Sequence, residues 1–509
     1  MRKRTIAGVI TVFMLGVLLT SVGRREEGGA GSTQGSGGRS GGGTIRFGIS
    51  TEPATLDPLS PSNTADGRSI LFNVYEGLVK PDTDGSLKPA VAESYTIEQN
   101  GLVYVFRLRK GIKFHNGADL KPEDVVFTLN SAVREGFTGF TQISKVEARP
   151  DGSIAVSLKA PENDFLPYLT LGIVPADNPD REKNPIGTGP FAIESYAVQR
   201  SLTLVKNPGY RQPGLPHLDR VTYIFTADSE ALLLALQAGS IDAANITGSI
   251  VDQLDPARFD IVSSPSNAVQ LMALNNGVKP LDNLKVRLAI NYAVDIPEII
   301  DAAFYGRGEP SGSPVIPALS RYYETALANP YPVDTEKARA LLAEAGYADG
   351  FPLEITVPSN YTMHVDTAQV IVNQLRKVHI DARIKPVDWA TWLADVYRGR
   401  KYEATIISLD ASTISPRAFL SRYRSNAGSN FLNFKNGEFD RVYDEITAEP
   451  DDDKRISLYR RAQRIISDNA AAVYIQDIYN FSALAKGRYG GIVNYPLYVF
   501  DFAPVYRMQ

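Results

Sequence analysis

Catalysis and metal binding require reactive side chains at defined spacings, and this sequence offers few of them. The chain of 509 residues contains no cysteine, which excludes disulfides, thiol nucleophiles and cysteine–zinc sites. The four histidines match no metal-binding motif, because they lie far apart in the sequence, at positions His115, His217, His364 and His379. The sequence also lacks a phosphate-binding P-loop, a G-x-S-x-G elbow and an H-E-x-x-H helix. We therefore predict a protein without a cofactor or metal and without enzymatic activity.

Two short segments have the composition of ligand sites, but their context favours structural roles. Residues 187–190 (GTGP) are not followed by a Lys-Ser or Lys-Thr pair at a helix start, so they predict a turn between structural segments. The acidic run 451–453 lacks the alternating ligands, glycine and distal glutamate of a calcium loop. It is typical of the first turn of a helix, where the helix dipole favours acids. His115 is expected to stabilise a turn or to lie at the surface.

The first 43 residues have the composition of an export signal followed by a tether. Basic residues at positions 2–4 precede an apolar run at 5–19, which small residues close at 20–23. We predict a signal peptide at residues 1–23, with a retained membrane anchor as the alternative. The apolar run is shorter than the roughly 20 residues of a spanning helix, which favours cleavage. Residues 24–43 are rich in Gly and Ser and predict a flexible linker.

The leader is also similar to that of a bacterial lipoprotein, but the lipid-accepting cysteine is absent. Arg24 follows Gly23 at the position where a lipoprotein carries its cysteine. We therefore expect an exported, periplasmic or extracytoplasmic protein, with weak membrane association through an uncleaved leader as the alternative. Removal of residues 1–23 leaves 50 basic against 57 acidic residues, a net charge of −7. An acidic chain of this kind gives no support for nucleic-acid binding, which normally uses a basic face.

Hydrophobic periodicity predicts an α/β protein, because strands and helices interleave along the chain. Alternating apolar and polar residues predict strands at 44–49, 102–108, 154–158, 202–205, 221–225, 353–357 and 382–387. Helical spacing with capping residues predicts helices at 69–78, 121–129, 229–238, 334–345, 364–377 and 455–468.

A series of motifs in a fixed order resembles one family over residues 44–509. The matching segments are 73–78 (NVYEGL), 87–95 (LKPAVAESY), 106–117 (FRLRKGIKFHNG), 124–128 (DVVFT), 185–191 (PIGTGPF), 286–295 (VRLAINYAVD) and 341–347 (LLAEAGY). Together they resemble the extracellular solute-binding proteins of ABC importers, in the group that binds peptides, nickel chelates and related solutes. No single motif decides the matter, but their order over the whole chain is specific.

The resemblance implies a two-lobed, hinged periplasmic-binding-protein fold with an extra subdomain inserted in the first lobe. Lobe I would comprise residues 44–80, 187–272 and 493–509, with the inserted subdomain at 81–186, and lobe II would comprise 273–492. The ligand would lie between the lobes and stabilise their closure. The implied partners are a short peptide or related small solute and the permease and ATPase subunits of an importer. A monomer is expected.

The resemblance also implies how a peptide would be held. Peptide-binding relatives pair with the peptide backbone as an added strand. An Asp shortly before a Pro-x-x-Phe segment holds the free amine, and that position falls here on Ser412, with Asp410 two residues earlier. If Asp410 does not replace the missing carboxylate, the ligand is not an ordinary peptide. Arg417 and Arg422 are possible partners for a ligand carboxylate, or surface helix residues.

Other cleft candidates follow from position in the family pattern. The loop at 58–64 matches the early ligand-contact loop, which makes Ser62 and Asn63 candidates. Tyr361 lies after a strand of lobe II. Trp389 and Trp392 are the only tryptophans, and we expect Trp389 in the cleft and Trp392 in the core. The turn at Asn430 is expected to be structural.

Several alternatives to peptide import stay open at this point. A sugar, an opine-like compound or a metal chelate would suit the same fold, although the residue spacing offers no direct nickel site. A secreted hydrolase is disfavoured, only weakly, by the lack of a nucleophile–base signature, since triads assemble from distant residues. A sensor that presents its ligand to a membrane receptor has the same sequence features as an importer component.

Overall fold

The computed structural model describes residues 39–411 and 413–509, and it confirms the mixed α/β class. The predicted signal peptide, most of the predicted linker and Ser412 lie outside the described residues. Within them, no helix combines the length and the apolar character needed to cross a membrane.

One mixed sheet organises the molecule. Its strands lie in the order Ile380–Val387, Phe351–Pro358, Ala404–Asp410, Phe259–Leu274, Ala472–Ala485, Ala243–Ile246, Thr44–Ile49, Arg220–Phe225, Ser201–Lys206 and Phe191–Ala197, with Glu309–Pro310 beside Ala472–Ala485. The first three strands of this order are parallel to one another, and so are Ala243–Ile246, Thr44–Ile49 and Arg220–Phe225.

Two long antiparallel strands, Phe259–Leu274 and Ala472–Ala485, run through the centre of this sheet and are called the crossing strands. At one end they pair with Ala243–Ile246, in what we call lobe I, and at the other end with Ala404–Asp410, in lobe II. Their mutual register shifts between Pro265 and Val269. The break in regular pairing therefore lies where the crossing strands pass from one lobe to the other.

Smaller sheets complete the molecule. A four-stranded antiparallel sheet comprises Ala92–Glu98, Val103–Leu108, Ile154–Leu158 and Ile143–Ala148, and a hairpin comprises Val79–Pro81 and Leu87–Pro89. A third small sheet comprises Arg39–Ser40, Tyr506–Met508 and Tyr489–Gly490. The four-stranded sheet has its own hydrophobic core, which includes Tyr104, Phe106 and Phe165. The inserted segment is therefore a separate packing unit.

The helices cover the sheets, and most begin at a side-chain cap. They are Ala65–Leu71, Pro122–Arg134, Ser229–Ala238, Gly248–Val251, Leu284–Ala293, Ile296–Phe304, Thr335–Glu344, Thr362–Arg376, Trp389–Thr391, Trp392–Arg398, Pro416–Leu420, Gly437–Ala448 and Asp452–Asp468. Asp451 caps the last of these by accepting a hydrogen bond from the Lys454 N–H, which confirms the structural interpretation of the acidic run.

The predicted helix at 69–78 is wrong in position. The helix is Ala65–Leu71, capped by Thr64. Beyond it, the carbonyls of Asn73 and Val74 accept hydrogen bonds from Phe191 and Gly189, so they are not available to continue a helix. A Cβ on Gly187 would lie 2.0 Å from the Val74 carbonyl oxygen. The glycine-rich turn at 187–190 thus links two segments by close backbone approach, as predicted.

His115 fastens this turn to the inserted unit. Its N–H donates to the Gly187 carbonyl, and its Nδ1 accepts a hydrogen bond from the Gly187 N–H at 3.2 Å. Its Nε2 lies 3.1 Å from the Gly189 carbonyl oxygen. Burial lowers the pKa of His115 to about 4. The turn-stabilising role expected of His115 is therefore confirmed.

The end of the predicted linker differs from a free tether. Arg39–Ser40 pairs with Tyr506–Met508, and the N–H of Gly42 donates to the His217 carbonyl at 3.0 Å. The Gly43 N–H donates to the Asp219 carboxylate at 2.8 Å. Gly42 and Gly43 both adopt positive φ, which glycine permits at low cost. Residues 39–43 are thus part of the folded body.

Candidate ligand-binding cleft

The topology brings strand ends from both lobes toward the middle of the crossing strands. Ile246 ends a lobe I strand level with Ser263, because both pair with Phe481. Asp410 ends a lobe II strand opposite Ala268. Carboxyl ends of parallel strands are the usual edge for ligand sites in α/β proteins. The two edges face each other across residues 263–268, at most about 16 Å of extended chain, a span that suits a short peptide.

Aromatic side chains, which we call the aromatic wall, follow the ends of the lobe II strands Phe351–Pro358 and Ile380–Val387. Tyr361 caps helix Thr362–Arg376, and the Tyr361 and Trp389 rings meet edge to face with centroids 5.5 Å apart. Trp389 stacks on Trp392 at 5.1 Å with an interplanar angle of 3°. Tyr361 and Trp389 are each 37% exposed, whereas Trp392 is 2% exposed. The outer pair can therefore meet a ligand, while Trp392 belongs to the core.

A hydrogen bond and hydrophobic packing both hold the Trp392 side chain in place. Its Nε1 donates to the Thr405 hydroxyl at 2.9 Å, and Thr405 lies on strand Ala404–Asp410. The indole packs against Phe431 in the lobe II core. Buried indole N–H groups need such a partner. The strand that ends at Asp410 thereby also supports the aromatic wall.

Asp410 places an exposed carboxylate beside this wall, at the end of the neighbouring strand. The Arg422 guanidinium donates to the Asp410 main-chain carbonyl at 2.9 Å, so a cation lies close to this position. None of the ion pairs within the described residues engages the Asp410 carboxylate. Asp410 therefore has a carboxylate available to a ligand amine, with a guanidinium nearby.

Arg417 does not belong to the cleft. Its guanidinium forms an ion pair with Glu162 of the inserted unit, and its Nε donates to the Tyr443 hydroxyl at 2.9 Å. Arg417 lies on helix Pro416–Leu420, and these contacts within the chain favour a structural role over a partner for a ligand carboxylate. The sequence could not reveal this, because Glu162 lies far away along the chain.

The lobe I candidates lie in a tight turn that follows strand Thr44–Ile49 and precedes helix Ala65–Leu71. Ser62 is exposed, and its N–H donates to the Ser60 hydroxyl. The Asn63 side-chain amide donates to the Asp57 carbonyl at 2.8 Å, and the Asn63 main-chain carbonyl accepts from the Arg68 guanidinium at 2.9 Å. The hydrogen bonds of Ser62 and Asn63 thus remain within the segment 57–68. In lobe II the Tyr361 and Trp389 rings are in contact and Asp410 ends the neighbouring strand, whereas Ser62 and Asn63 lie on a separate segment, after the lobe I strand Thr44–Ile49.

The floor of the cleft contains a buried carboxylate that the sequence analysis did not identify. Asp477 is 1% exposed, and its carboxylate accepts hydrogen bonds from the Ser266 N–H at 3.1 Å and hydroxyl at 2.9 Å. Burial raises the pKa of Asp477 to about 7, and the nearby Glu309 carboxylate adds to this shift. The crossing strands are thus tied at their register shift by a group that titrates near neutral pH.

A row of buried amides continues from Asp477 into lobe II. Gln476 donates to the Gln270 side chain at 2.8 Å. The Gln270 amide donates in turn to Thr367 at 3.0 Å and lies 3.1 Å from His364 Nδ1. Burial lowers the pKa of His364 to about 4, so its ring is neutral at physiological pH. This network joins the crossing strands to the helix that begins beside Tyr361.

Asn267 connects the crossing strands to the segment after Asp410. It adopts a positive φ of 59°, which asparagine tolerates better than most residues. Its side chain donates to the carbonyls of Ala411 and Thr413, and its own carbonyl accepts from the Ala411 N–H. The loop that contains Ser412, itself outside the described residues, is therefore held on both sides by one residue.

Comparison with known proteins gives a family model that matches residues 86–431, described as bacterial extracellular solute-binding proteins, family 5 Middle. Glutathione-binding protein GsiB of Shigella dysenteriae serotype 1 (strain Sd197) is 31% identical over 437 residues, which cover 81% of this chain and 84% of that protein.

Solved structures agree with this assignment. The ABC transporter substrate-binding protein CtaP of Listeria monocytogenes matches with a TM-score of 0.82 and 26% identity, over 92% of this chain and 100% of that one. DppA of Helicobacter pylori in complex with the peptide STSA matches with a TM-score of 0.71 and 26% identity, over 92% and 99%. The two-lobed fold is thereby confirmed. Since the family model matches more than half of the length of this chain, the chain belongs to the bacterial extracellular solute-binding proteins of family 5.

Proposed function

We propose that this solute-binding component of an ABC importer captures short peptides in the cleft between its lobes and delivers them to a membrane permease driven by an ATPase. The observation that carries the proposal is the arrangement of Tyr361, Trp389 and Asp410 at adjacent strand ends, opposite the lobe I strand ends. An aromatic wall beside an available carboxylate is suited to an apolar side chain next to an ammonium group. The peptide amine would pair with Asp410.

The proposal assigns no chemical reaction to the cleft. The family of solute-binding proteins to which the chain belongs supports this assignment of binding without chemistry. The chain would act as an exported monomer, with residues 1–23 as its signal peptide. Separate hydrophobic cores on each side of the crossing strands support the predicted division into lobe I, inserted subdomain and lobe II.

A second candidate ligand is glutathione. The Arg422 guanidinium close to Asp410 favours a ligand end that carries an amine and a carboxylate on one carbon, as the γ-glutamyl group does. GsiB, the relative at 31% identity, is named for glutathione binding. An ordinary α-linked peptide presents only the amine at this end, so the two ligand types differ in their demand on Arg422.

Native mass spectrometry of the purified chain, with release of bound solute by mild denaturation, tests the ligand class. We expect a series of short-peptide masses, or glutathione alone, because closed clefts release their ligands slowly. A single sugar, opine or metal-chelate mass would contradict the peptide assignment. Protein recovered empty is then titrated calorimetrically with tripeptides, tetrapeptides and glutathione, and failure of all of them to bind would also contradict it.

The Asp410→Asn variant tests the amine contact directly. We expect a roughly 10- to 100-fold loss of affinity for a defined tripeptide, because a charge-assisted hydrogen bond is lost. Acetylation of the peptide amine should weaken binding to the natural chain by a similar factor and have little further effect on the variant. Asp381→Asn, at the far end of strand Ile380–Val387, is the matched control and should bind normally. Equal affinity of Asp410→Asn and the natural chain would show that the amine is held elsewhere.

A further inference from the structure

The inserted subdomain contacts lobe II through residues 162–164, far along the chain from the crossing strands. Glu162 forms the ion pair with Arg417. The Asp164 carboxylate accepts hydrogen bonds from the Ser415 hydroxyl and, at 3.0 Å, from the Tyr459 hydroxyl. This group of contacts is called the subdomain joint. It connects the two lobes at a second place.

Both sides of the subdomain joint are anchored in rigid cores. Phe165, directly after Asp164, is fully buried in the core of the inserted unit. Tyr459 is fully buried in the core of lobe II, and Ser415 caps helix Pro416–Leu420 by accepting from the Arg417 N–H at 3.1 Å. Side chains that are anchored in two rigid cores tolerate little sliding, so the contact persists only where the relative motion of the two cores is small.

The subdomain joint is formed while the cleft is open to solvent. Glu162 is 8% exposed and Asn163 is 3% exposed. In the same structure Tyr361 and Trp389 each keep more than a third of their surface accessible, and Asp410 and Ser62 are exposed. The joint therefore does not depend on closure of the lobes around a ligand.

The joint is also continuous with the candidate ligand loop. Ser415 and Arg417 follow Asp410 by a few residues, and Asn267 of a crossing strand binds the carbonyls of Ala411 and Thr413 between them. Residues 411 and 413–417 thus contact the crossing strands at Asn267 and the subdomain joint at Ser415 and Arg417.

We infer that the subdomain joint is a second pivot, which confines lobe motion to rotation about the line through the crossing strands and residues 162–164. Glu162 and Asp164 act as positioning residues, because they hold segment 413–417 in place while the cleft opens and closes. The role in ligand affinity rests on the proposed function, whereas the pivot itself does not. Loss of the joint increases the freedom of the unliganded lobes, and a ligand must then order that freedom on binding.

Charge reversal at the ion pair tests the pivot. The variants are Glu162→Arg, Arg417→Glu and the two combined, each in a chain labelled at Val198→Cys in lobe I and Val333→Cys in lobe II. Both positions are at least half exposed, and the natural chain has no other cysteine to label. Spin labels are attached to the two cysteines, and pulsed electron–electron double resonance then measures the distribution of distances between them without ligand.

We expect both single variants to broaden this distribution and the double variant to restore it. Affinity for a tripeptide should fall about tenfold in the single variants and recover in the double variant. Glu438→Arg reverses the charge of an exposed ion pair with Arg461 inside lobe II and should change neither quantity. If charge reversal prevents folding, Ser415→Ala removes one hydrogen bond of the joint and should give a smaller broadening.

Two results would overturn the pivot. An unchanged distance distribution in the folded variants would show that the joint does not restrict motion. A rise in affinity in the single variants would show that the joint opposes closure. Failure of every peptide to bind the natural chain would contradict the proposed function, but the distance distributions would still decide the pivot.

Discussion

Replacement of Trp392 by alanine should lower the free energy of unfolding by about 3–5 kcal/mol, as expected for a buried tryptophan. Its indole is 2% exposed, stacks under Trp389 and donates to Thr405, which is itself fully buried. Truncation leaves a cavity and an unpaired hydroxyl. Trp389→Ala removes a ring that is 37% exposed, so we expect a smaller loss of stability than for Trp392→Ala. Chemical denaturation followed by far-UV circular dichroism measures both.

Ligand affinity should depend on Trp389 more than on Trp392, which is the reverse of the order expected for stability. Trp389→Ala removes a proposed contact surface, so affinity for a tripeptide should fall although the fold is intact. Trp392→Phe keeps an aromatic support but loses the bond to Thr405, and we expect a stability between those of the natural chain and Trp392→Ala. If Trp389→Ala bound as tightly as the natural chain, the aromatic wall would have no role in recognition.

Asp477→Asn should change how stability depends on pH. In the folded chain burial raises the pKa of Asp477 to about 7, whereas in the unfolded chain it returns to an ordinary value near 4. Between about pH 4 and pH 7, Asp477 holds a proton in the folded state that it has released in the unfolded state. Stability conferred by this proton is present below about pH 4 and is lost as pH rises through 7. The natural chain should therefore lose up to about 4 kcal/mol relative to the variant over this range.

Unfolding by urea at several pH values between 4 and 8 measures this difference. The neutral His364 lies further along the amide row and contributes with the opposite sign below about pH 6.5, but it occurs in both chains and cancels in the comparison. The effect of Glu309 on the pKa of Asp477 is lost together with the carboxylate and is part of the measured difference. A pH-independent difference between the chains would show that Asp477 does not change its protonation on folding.

Local sequence signals predicted many elements well. The strands at 44–49 and 154–158 and the helix at 229–238 have the predicted bounds. For this helix the reason is local: Asp228 accepts a hydrogen bond from the Ala231 N–H at the start, and Gly239 adopts a left-handed conformation at the end. Such signals act over a few residues and are visible in the sequence.

The crossing strands were not predicted, because their pattern reflects distant partners. Gln270, Gln476 and Asp477 interrupt the apolar alternation, and each forms side-chain hydrogen bonds with another segment of the chain. For the same reason, the candidate site could be predicted only in part. Resemblance supplied Tyr361, Trp389 and Asp410 from motifs near strand ends, but the floor of the cleft and the partner of Arg417 depend on contacts between residues far apart in sequence.

The position of the crossing strands also determines when the chain can fold during synthesis. Ala472–Ala485 lies in the middle of the sheet, between strands made much earlier, and the core of lobe I includes Phe500, Phe502 and Val505. Lobe I can therefore not be completed until Val505 has left the ribosome, and lobe II not until strand Ala472–Ala485 has. Late, long-range pairing of this kind delays folding. A nascent chain that stays unfolded until translation ends remains narrow enough to thread through a translocation pore.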